Sequence, residues 1–454
     1  MYEKSRYGEY IQEIIKWFKI DFLGPDGFPV FDLDGRTGKP LSKRNLMPEL
    51  GDYLPFLLYL GEEDYVNEQI ELARIYFEEN ELLINKEKRK LVIKTNEGYN
   101  IRKSALLPSF SYSFAYTDLL LGLLECYELK GDRKNLSLAE KIIQKVFDNF
   151  FRDGFLCSYY IPLLGYRIPV SESNTGLYIE ILVDLYRFTD KQKYIKRAED
   201  LAKSWLKTDF VKSYGLFPYY HLLDSKFLLI PSIKQMSKTV TLTKHNYCTL
   251  AGMLALYEKT KKEVFKEAIE KWVEGFEKYL IDEKSIVHTE VEIDNGKITR
   301  KGASFNSLFI TDFFCDIYCK LNEEKCLLYA KKVADFWLKL QSKNTGLIPN
   351  QLDKRATFID NETDFSVALM KLYSLTGEKK YKNTATNIVN GVIRFHRIKR
   401  GYVRSVDAES GEIVDYKIET KFTSLFLKPL IAIASGNEID IYKNQMLYNL
   451  LRDR

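Results

Sequence analysis

Residues 361–376 read Asn361-Glu362-Thr363-Asp364, followed by Phe365-Ser366-Val367-Ala368-Leu369-Met370-Lys371-Leu372-Tyr373-Ser374-Leu375-Thr376. The second part is apolar on most faces of a helix, and a helix that is hydrophobic nearly all round is buried. Gly377 ends this segment, and residues 379–393 have the spacing of an amphipathic helix. The stretch therefore predicts a hairpin: a buried helix over residues 365–376 with acids at its N-terminus, a short turn and an amphipathic helix.

The same unit recurs along the whole chain. Buried helices are predicted to start near Asp52, Phe114, Asn174, His245, Phe305, Glu362 and Glu419. The starts follow one another at intervals of roughly 57–71 residues, and such a period marks a repeat architecture. The connections between units are long, and several contain hairpin signals, such as the alternating residues 286–299 around Asp294-Asn295-Gly296 and residues 91–98.

This arrangement predicts an all-α fold, an (α/α)7 toroid of helical hairpins that forms a single domain over residues 1–454. Buried helices line the ring, amphipathic helices jacket it, and the long loops with their β-hairpins lie on one face. The N-terminal helix and a tail helix over residues 440–451 would close or cover the ring. An open superhelical stack would show a similar period, but its loops are usually short on both sides.

The loop face is the predicted place for chemistry. All buried helices of such a ring point the same way, so their N-termini lie on the same face as the long loops. Helix N-termini expose unpaired N–H groups and a partial positive charge. Loops on a rigid scaffold also commonly carry function.

Composition excludes some partners. The net charge is +5 from 68 basic and 63 acidic residues, without a basic block, so we expect no nucleic-acid binding. No apolar run approaches ~18 residues, and the N-terminus is unlike a signal peptide, so we expect no membrane partner. Six cysteines without a CxxC pair indicate free thiols and a cytoplasmic protein. The sequence leaves the oligomeric state open.

Several segments resemble the class I α-mannosidases of glycoside hydrolase family 47. Residues 52–61, Asp-Tyr-Leu-Pro-Phe-Leu-Leu-Tyr-Leu-Gly, are similar to that family's D-A-L-D-T-L-x-I-M-G segment, and residues 122–132 to its G-L-L-S-A-Y-x-L-S-G-D segment. Residues 177–180 are similar to L-Q-L-E, residues 364–377 to P-E-T-x-E-S-x-x-Y-L-x-R-x-T-G, and residues 415–420 to D-K-M-E-S. The resemblance implies an (α/α)7 barrel, a glycan substrate and catalytic carboxylates at the N-termini of the inner helices.

The chain departs from that family at key positions. Phe114 stands where the family has its general acid, and His245 where it has its second catalytic carboxylate. The third catalytic position falls on Asp364, with Glu362 close by. The resemblance also implies a bound Ca²⁺, but no stretch after Leu430 matches the calcium-binding Thr. We therefore expect no cofactor and no protein metal ligand.

Glycoside hydrolysis usually needs two carboxyl groups, one protonated and one ionised. Acids at or just before the predicted inner-helix starts are Glu49, Asp52, Glu172, Asp360, Glu362, Asp364 and Glu419. Any one of them could simply cap a helix and interact with its dipole. Seven on one face favour a site, and we predict Asp364 and Glu419 as the acid/base pair. Asp52 and His245 are predicted to assist.

The remaining predicted site residues would bind substrate. They are Glu362, Asp118, Tyr116, Glu180, Glu172, Asn246 and Tyr220. The first hypothesis is a carbohydrate-active enzyme, most simply a glycoside hydrolase of the α-mannosidase kind. The second is a sugar epimerase, isomerase or lyase that uses His245 as acid or base. The third is a non-catalytic glycan-binding or scaffold toroid.

Overall fold

The computed structural model describes residues 6–79, 90–95, 98–103, 111–224, 236–300, 304–434 and 441–451. The inner helices are α2 (Leu54–Tyr59), α4 (Thr117–Lys130), α6 (Leu177–Thr189), α9 (Thr243–Thr260), α11 (Ser304–Leu321), α13 (Ile359–Thr376), and the consecutive α15 (Thr420–Leu425) and α16 (Leu427–Ala434). The outer helices are α1 (Gly8–Lys16), α3 (Glu63–Glu79), α5 (Arg133–Phe150), α7 (Gln192–Leu206), α10 (Glu263–Tyr279), α12 (Glu324–Leu338) and α14 (Lys379–Gly391). A short α8 (Asp209–Tyr214) lies in a loop, and α17 (Gln445–Leu451) is the tail helix.

The inner helices contact one another in chain order and close a ring. Helix α2 contacts α4, α4 contacts α6, and the series continues through α9, α11 and α13 to α15 and α16. Helix α15 then contacts the 3-10 helix Met47–Asp52 that precedes α2, and the Ser424 hydroxyl donates to the Asp52 carbonyl at 2.9 Å. Each outer helix packs on an inner one, with α1 on α16. The prediction of an all-α toroid of helical hairpins is confirmed.

The loop face carries small antiparallel sheets. The strands are β1 (Asp32–Asp34), β2 (Lys90–Thr95), β3 (Gly98–Lys103), β4 (Ser111–Tyr112), β5 (Phe151–Arg152), β6 (Phe155–Leu156), β7 (Tyr159–Ile161), β8 (Tyr166–Ile168), β9 (Val170–Glu172), β10 (Tyr220–Leu222), β11 (Val240–Leu242), β12 (Glu290–Glu292), β13 (Lys297–Arg300), β14 (Ala356–Phe358), β15 (Arg397–Ile398), β16 (Gly401–Tyr402), β17 (Ser405–Asp407), β18 (Ile413–Asp415) and β19 (Lys417–Glu419). Strands that lead into inner helices pair with the next loop along: β4 with β7, β9 with β10, β11 with β12, β14 with β17, and β19 with β1. The last pairing joins the two ends of the chain. The predicted hairpins appear as β2–β3 and β12–β13.

The boundaries correct two predictions. The helix expected at residue 365 begins at Ile359, so Glu362 and Asp364 lie inside α13 and not before it. Polar residues occupy its first turn, and the apolar pattern alone does not reveal them. The tail helix begins at Gln445 and not at residue 440, because the Asn444 side chain accepts a hydrogen bond from the Leu447 amide at the helix start. No described helix is both long and apolar enough to cross a membrane.

A charged cluster is buried between α11 and α13, below the loop face. The ammonium group of Lys371 lies 2.8 Å from Asp312 and 3.4 Å from Asp316, and all three side chains are buried. The Tyr442 hydroxyl, from the tail segment, donates to Asp316 at 3.0 Å. A buried ion pair is tolerated only when its charged groups have partners. In this cluster the ammonium group contacts both carboxylates, and the phenol donates a further hydrogen bond to one of them.

Candidate active site

The strand-to-helix junctions place equivalent residues around the loop face. The last strand residues before five inner helices are Tyr112, Glu172, Leu242, Phe358 and Glu419, and the residues two places further are Phe114, Asn174, Lys244, Asp360 and Lys421. Contacts between neighbouring repeats join many of these side chains. The last strand residue of each repeat and the residue two places after it therefore line the loop face, and they bring residues distant in sequence close together.

Glu419 is held between two cations. Its carboxylate lies 2.7 Å from the Lys417 ammonium and 3.4 Å from the Arg404 guanidinium, and the side chain is only 9% exposed. Lys417 also lies 3.0 Å from Asp32 of β1. These charge-assisted contacts hold the carboxylate of Glu419 in place.

Asp360 has the opposite environment. Burial raises the pKa of its carboxyl group, the backbone amide of Asn361 opposes this shift, and the charge of Glu419 adds to it. Arg404 and Lys244 are near enough to offset part of that rise in the pKa. Asp360 and Glu419 are thus neighbouring carboxyls, and the surroundings favour a proton on Asp360.

A second acidic group lies where the ring closes. Lys421 contacts Asp52 at 2.7 Å and Asp118 at 3.4 Å. The 3-10 helix that ends at Asp52 packs closely on α4 because Gly51 and Gly122 meet there without side chains. A Cβ atom on Gly51 would lie 2.1 Å from the Asp118 carbonyl oxygen. Burial raises the pKa of Asp52, and Lys421 opposes the rise.

Glu49 extends this group toward the N-terminal loop. It forms an ion pair with Arg44, and its side chain is buried. Burial raises the pKa of Glu49 to about 7, against the opposing charges of Lys421 and Arg44.

Glu172 lies in a cage of tyrosines. Its two oxygens each accept a hydrogen bond of 2.7 Å, one from the Tyr112 hydroxyl and one from the Tyr159 hydroxyl. The two rings stack with centroids 5.2 Å apart, and Asn174 donates to the Tyr112 oxygen at 3.1 Å. Burial raises the pKa of Glu172, although these hydrogen bonds oppose it.

Tyr220 and His245 continue this wall. Tyr220 lies directly opposite Glu172 in the β9–β10 pair and stacks on Tyr219 at 4.2 Å. Burial raises the pKa of Tyr220, and Glu172 adds to the rise. The edge of Tyr219 meets His245 at 4.8 Å, and burial with the charge of Lys244 lowers the pKa of His245 to about 3. The imidazole is therefore neutral at physiological pH, and its buried Nδ1 makes no hydrogen bond within the described chain.

Three predicted binding residues lie four places after their strand and face the outer layer. Asn246 accepts hydrogen bonds from the Phe217 amide and from the Trp272 indole. Glu362 accepts from the Ile348 amide and the Thr357 hydroxyl, both at 2.7 Å. Tyr116 packs its ring against Phe77 and Phe150 of outer helices. Through these contacts, all three side chains connect an inner helix to a loop or to an outer helix.

The other predicted residues are spread along the inner helices. Asp364 lies in the second turn of α13 and is half-buried, one turn further along the helix than Asp360. Glu180 is buried within α6. Contacts between neighbouring repeats thus hold three sets of predicted residues at the loop face: Glu419; Asp52 and Asp118; and Glu172, Tyr220 and His245.

Replacing Glu362 by Gln is expected to stabilise the protein above pH 5. Burial raises the pKa of Glu362 to about 8, from an ordinary value of 4.5, and one carboxyl oxygen is buried without a partner. The folded protein therefore binds this proton more tightly than the unfolded chain. Rising pH favours unfolding from about pH 4.5 to about pH 8, and at about 1.4 kcal/mol per pH unit the variant should gain roughly 4 kcal/mol between pH 5 and pH 9.

The check is thermal unfolding of wild type and Glu362→Gln from pH 5 to pH 9. The gain should grow through this range, since Gln keeps the acceptor for Ile348 and Thr357 without a titrating proton. An exposed Glu283→Gln variant serves as the control. A gain that is the same at every pH would contradict the assignment.

Asp360, Lys417 and Arg404 are the site residues that sequence reasoning underrated. The sequence predicts Asp360 as an acid near a helix start, but the predicted pair is Asp364 and Glu419. Its equivalence to Lys421, two places after a strand end, is the signal that could have identified it. Lys417 and Arg404 lie outside the inner helices, and only strand pairing brings them to Glu419.

Comparison with known proteins finds one family model that matches part of the chain. Residues 164–347 match the model of glycosyl hydrolase family 76, less than half of the chain, and they include Glu172 and His245. This match supports the prediction of a glycoside hydrolase. No curated protein is similar to the chain in sequence. The comparisons support a toroid of the glycosidase-like class and do not support family 47 specifically.

Solved structures show the same fold at low identity. Cellobiose 2-epimerase from Spirochaeta thermophila is 12% identical with a TM-score of 0.56, over 75% of this chain and 86% of that one. The family 76 α-mannanase of Bacteroides thetaiotaomicron is 15% identical with a TM-score of 0.52, over 72% and 86%. Unsaturated glucuronyl hydrolase from Bacillus sp. GL1 is 11% identical with a TM-score of 0.50, over 85% and 94%. At such identities the likeness shows the fold alone.

The donor set does not fit the calcium ion that the family 47 resemblance implies. The described residues contain no group of three or more His, Cys, Asp or Glu side chains placed to hold a metal ion. Asp52 and Asp118 instead share the ammonium group of Lys421. We route no step of the reaction through a metal.

Proposed function

We propose that the protein is a glycoside hydrolase whose catalytic pair is Asp360 and Glu419. The observation that carries the proposal is the contrast between these neighbouring carboxyls. Burial raises the pKa of Asp360, whereas Lys417 and Arg404 surround Glu419 with positive charge. Glycosidases need one carboxyl that holds a proton and one that is ionised, and environments that differ in this way assign the two roles.

In this mechanism Asp360 donates its proton to the glycosidic oxygen as the bond to the anomeric carbon breaks. Glu419 provides the negative charge at the anomeric carbon, either as nucleophile or as the base that activates water. The separation of the two carboxyls in the substrate complex decides between inversion and retention. Asp364, one helical turn from Asp360, is proposed to bind a sugar hydroxyl.

The remaining loop-face residues provide the binding surface. Asp52 and Asp118, ordered by Lys421, offer carboxylate oxygens to sugar hydroxyls. The tyrosines around Glu172 offer aromatic faces and phenol oxygens. Sugars are bound in this way, with apolar ring faces on aromatic side chains and hydroxyls on a few placed polar groups. A cytoplasmic location and activity without a cofactor stay predictions.

The test is hydrolysis by the purified protein. Substrates are α-mannan oligosaccharides and a panel of 4-nitrophenyl glycosides, with release of reducing ends or nitrophenol as the readout. The proposal predicts turnover of at least one of them. If no substrate is cleaved, and bound sugar is recovered unchanged, the non-catalytic alternative holds instead.

The isomerase alternative has one specific observation in its favour. His245 is neutral, it lies beside Tyr219, and its Nδ1 atom makes no hydrogen bond in the described chain. An imidazole that transfers protons needs such a nitrogen. Incubation with mannose or cellobiose in D₂O separates the two readings. An isomerase incorporates deuterium at the carbon next to the carbonyl, and His245→Ala abolishes this exchange.

Hydrolysis by Asp360 and Glu419 incorporates no carbon-bound deuterium. We therefore expect none in the wild-type reaction, with NMR or mass spectrometry of the recovered sugar as the measurement. Deuterium incorporation that depends on His245 would replace the hydrolase proposal with the isomerase one.

A further inference from the structure

The β1–β19 pair brings two buried carboxylates face to face. Asp32 lies directly opposite Glu419 in the antiparallel register, and each residue is less than 10% exposed. Like charges in directly opposite positions destabilise a strand pair. A cation must therefore lie close to both carboxylates, at the point where the N-terminal loop meets the last repeat.

Lys417 provides that compensation. It lies two residues before Glu419, so its side chain is on the same face of the strand. Its ammonium group is 2.7 Å from Glu419 and 3.0 Å from Asp32. Burial disfavours the charged amine, but the hydrogen bonds to Glu419 and Asp32 outweigh it and raise the pKa of Lys417.

Asp32 is itself fixed in place. The Ser42 hydroxyl donates to one of its carboxylate oxygens at 2.7 Å, while the other oxygen faces Lys417. The chain of contacts therefore runs from Ser42 through Asp32 and Lys417 to Glu419. Residues from the first tenth of the sequence thus determine how a residue near its other end is held.

We propose that Lys417, anchored by Asp32, is the positioning residue that holds the Glu419 carboxylate in the orientation that the reaction needs. This inference rests on the proposed function of Glu419. In the described part of the chain, the other charged groups that face Glu419 are Arg404 and Asp360. Arg404 is farther away, at 3.4 Å, and 38% exposed, so Lys417 has the larger effect.

The kinetic test uses Lys417→Met, Lys417→Arg and an exposed control, Lys399→Met, with 4-nitrophenyl α-mannoside and α-mannan oligosaccharides as probes. Loss of the ammonium group is expected to lower kcat about 10–100-fold with little change in KM. Lys417→Arg keeps a cation between the two carboxylates, so it should restore most of kcat.

A merely structural role would change KM together with kcat, or would show no rescue by Lys417→Arg, and either result would overturn the proposal. So would Lys417→Met kinetics that match those of Lys399→Met. The split between kcat and KM is decisive because an oriented carboxylate acts in the transition state and not in ground-state binding.

A second measurement does not depend on turnover. Thermal unfolding of Asp32→Asn, Lys417→Met and the double variant forms a double-mutant cycle. Without Lys417 the two carboxylates repel, so the loss of stability in Lys417→Met should shrink in the double variant. Additive effects of the two substitutions would refute the coupling. If wild type cleaves no member of the glycoside panel, the proposed function fails, while this cycle still decides whether Lys417 couples Asp32 to Glu419.

Discussion

Replacing Lys371 by Met is expected to destabilise the folded protein by about 3–5 kcal/mol at neutral pH. Lys371 is fully buried, with Asp312 at 2.8 Å and Asp316 at 3.4 Å. The substitution preserves much of the volume but leaves two carboxylates buried without a cation. Breaking one partner of a buried ion cluster is costly, because the remaining charge has neither water nor a counter-ion. Denaturation with urea, monitored by circular dichroism, measures the loss.

The pH dependence separates charge from packing. The two carboxyls can take up protons at low pH, so the loss should diminish below about pH 5. A variant that also carries Asp312→Asn and Asp316→Asn should recover most of the stability. The exposed Lys379→Met, in the neighbouring outer helix, is the matched control. A loss below about 1 kcal/mol for Lys371→Met at pH 7 would show that this cluster is not compensated as described.

Replacing Asp360 by Asn or Glu419 by Gln is expected to lower turnover about 10²–10⁴-fold, while both variants stay folded. Asp360 supplies the proton for the leaving group, and Glu419 supplies the charge at the anomeric carbon. The measurement is kcat/KM on α-mannan oligosaccharides, together with circular dichroism. The exposed Asp353→Asn, in the loop before β14, should behave as wild type.

The leaving group distinguishes the two roles. A nitrophenolate departs without protonation, so Asp360→Asn should be far less impaired on a 4-nitrophenyl glycoside than on an oligosaccharide. Glu419→Gln should be impaired on both. In wild type the rate should fall as pH rises through the raised pKa of Asp360, and this alkaline limb should disappear in Asp360→Asn. Full activity in both variants would refute the assignment.

The sequence predicted the repeat, and the positions of the inner helices lie within a few residues of the predicted starts. That success rests on the all-round apolar composition of segments such as residues 365–376, which is a strong signal of burial. The same composition hides the rotation of each helix about its own axis. A helix without a polar stripe does not show which of its first residues face the ring axis and which face the outer layer.

This ambiguity explains the division among the predicted residues. Glu362 and Asn246 are near helix starts, as predicted, but they lie on the side of the helix that binds the loops and the outer layer. Asp360, two residues before Glu362, is rotated by about half a turn and lies with Glu419. The rotation of each inner helix about its axis is determined by the strand that leads into it.

Contacts across the ring closure were also beyond the reach of the sequence. Asp32 and Glu419 are separated by nearly the whole chain, and short three-residue strands bring them together. The local pattern around Lys417 indicates a strand but not its partner. This pairing joins the two ends of the chain, so the contacts of Glu419 depend on both ends.

The most direct test of the central claim is a crystal structure of the Glu419→Gln variant soaked with an α-mannan oligosaccharide. The account predicts a sugar at the loop face whose glycosidic oxygen lies within hydrogen-bond distance of Asp360, with the anomeric carbon facing residue 419. Sugar bound only between Glu172 and His245, away from Asp360, would contradict it. So would a loop face in which packed side chains fill the space between Asp360 and Glu419.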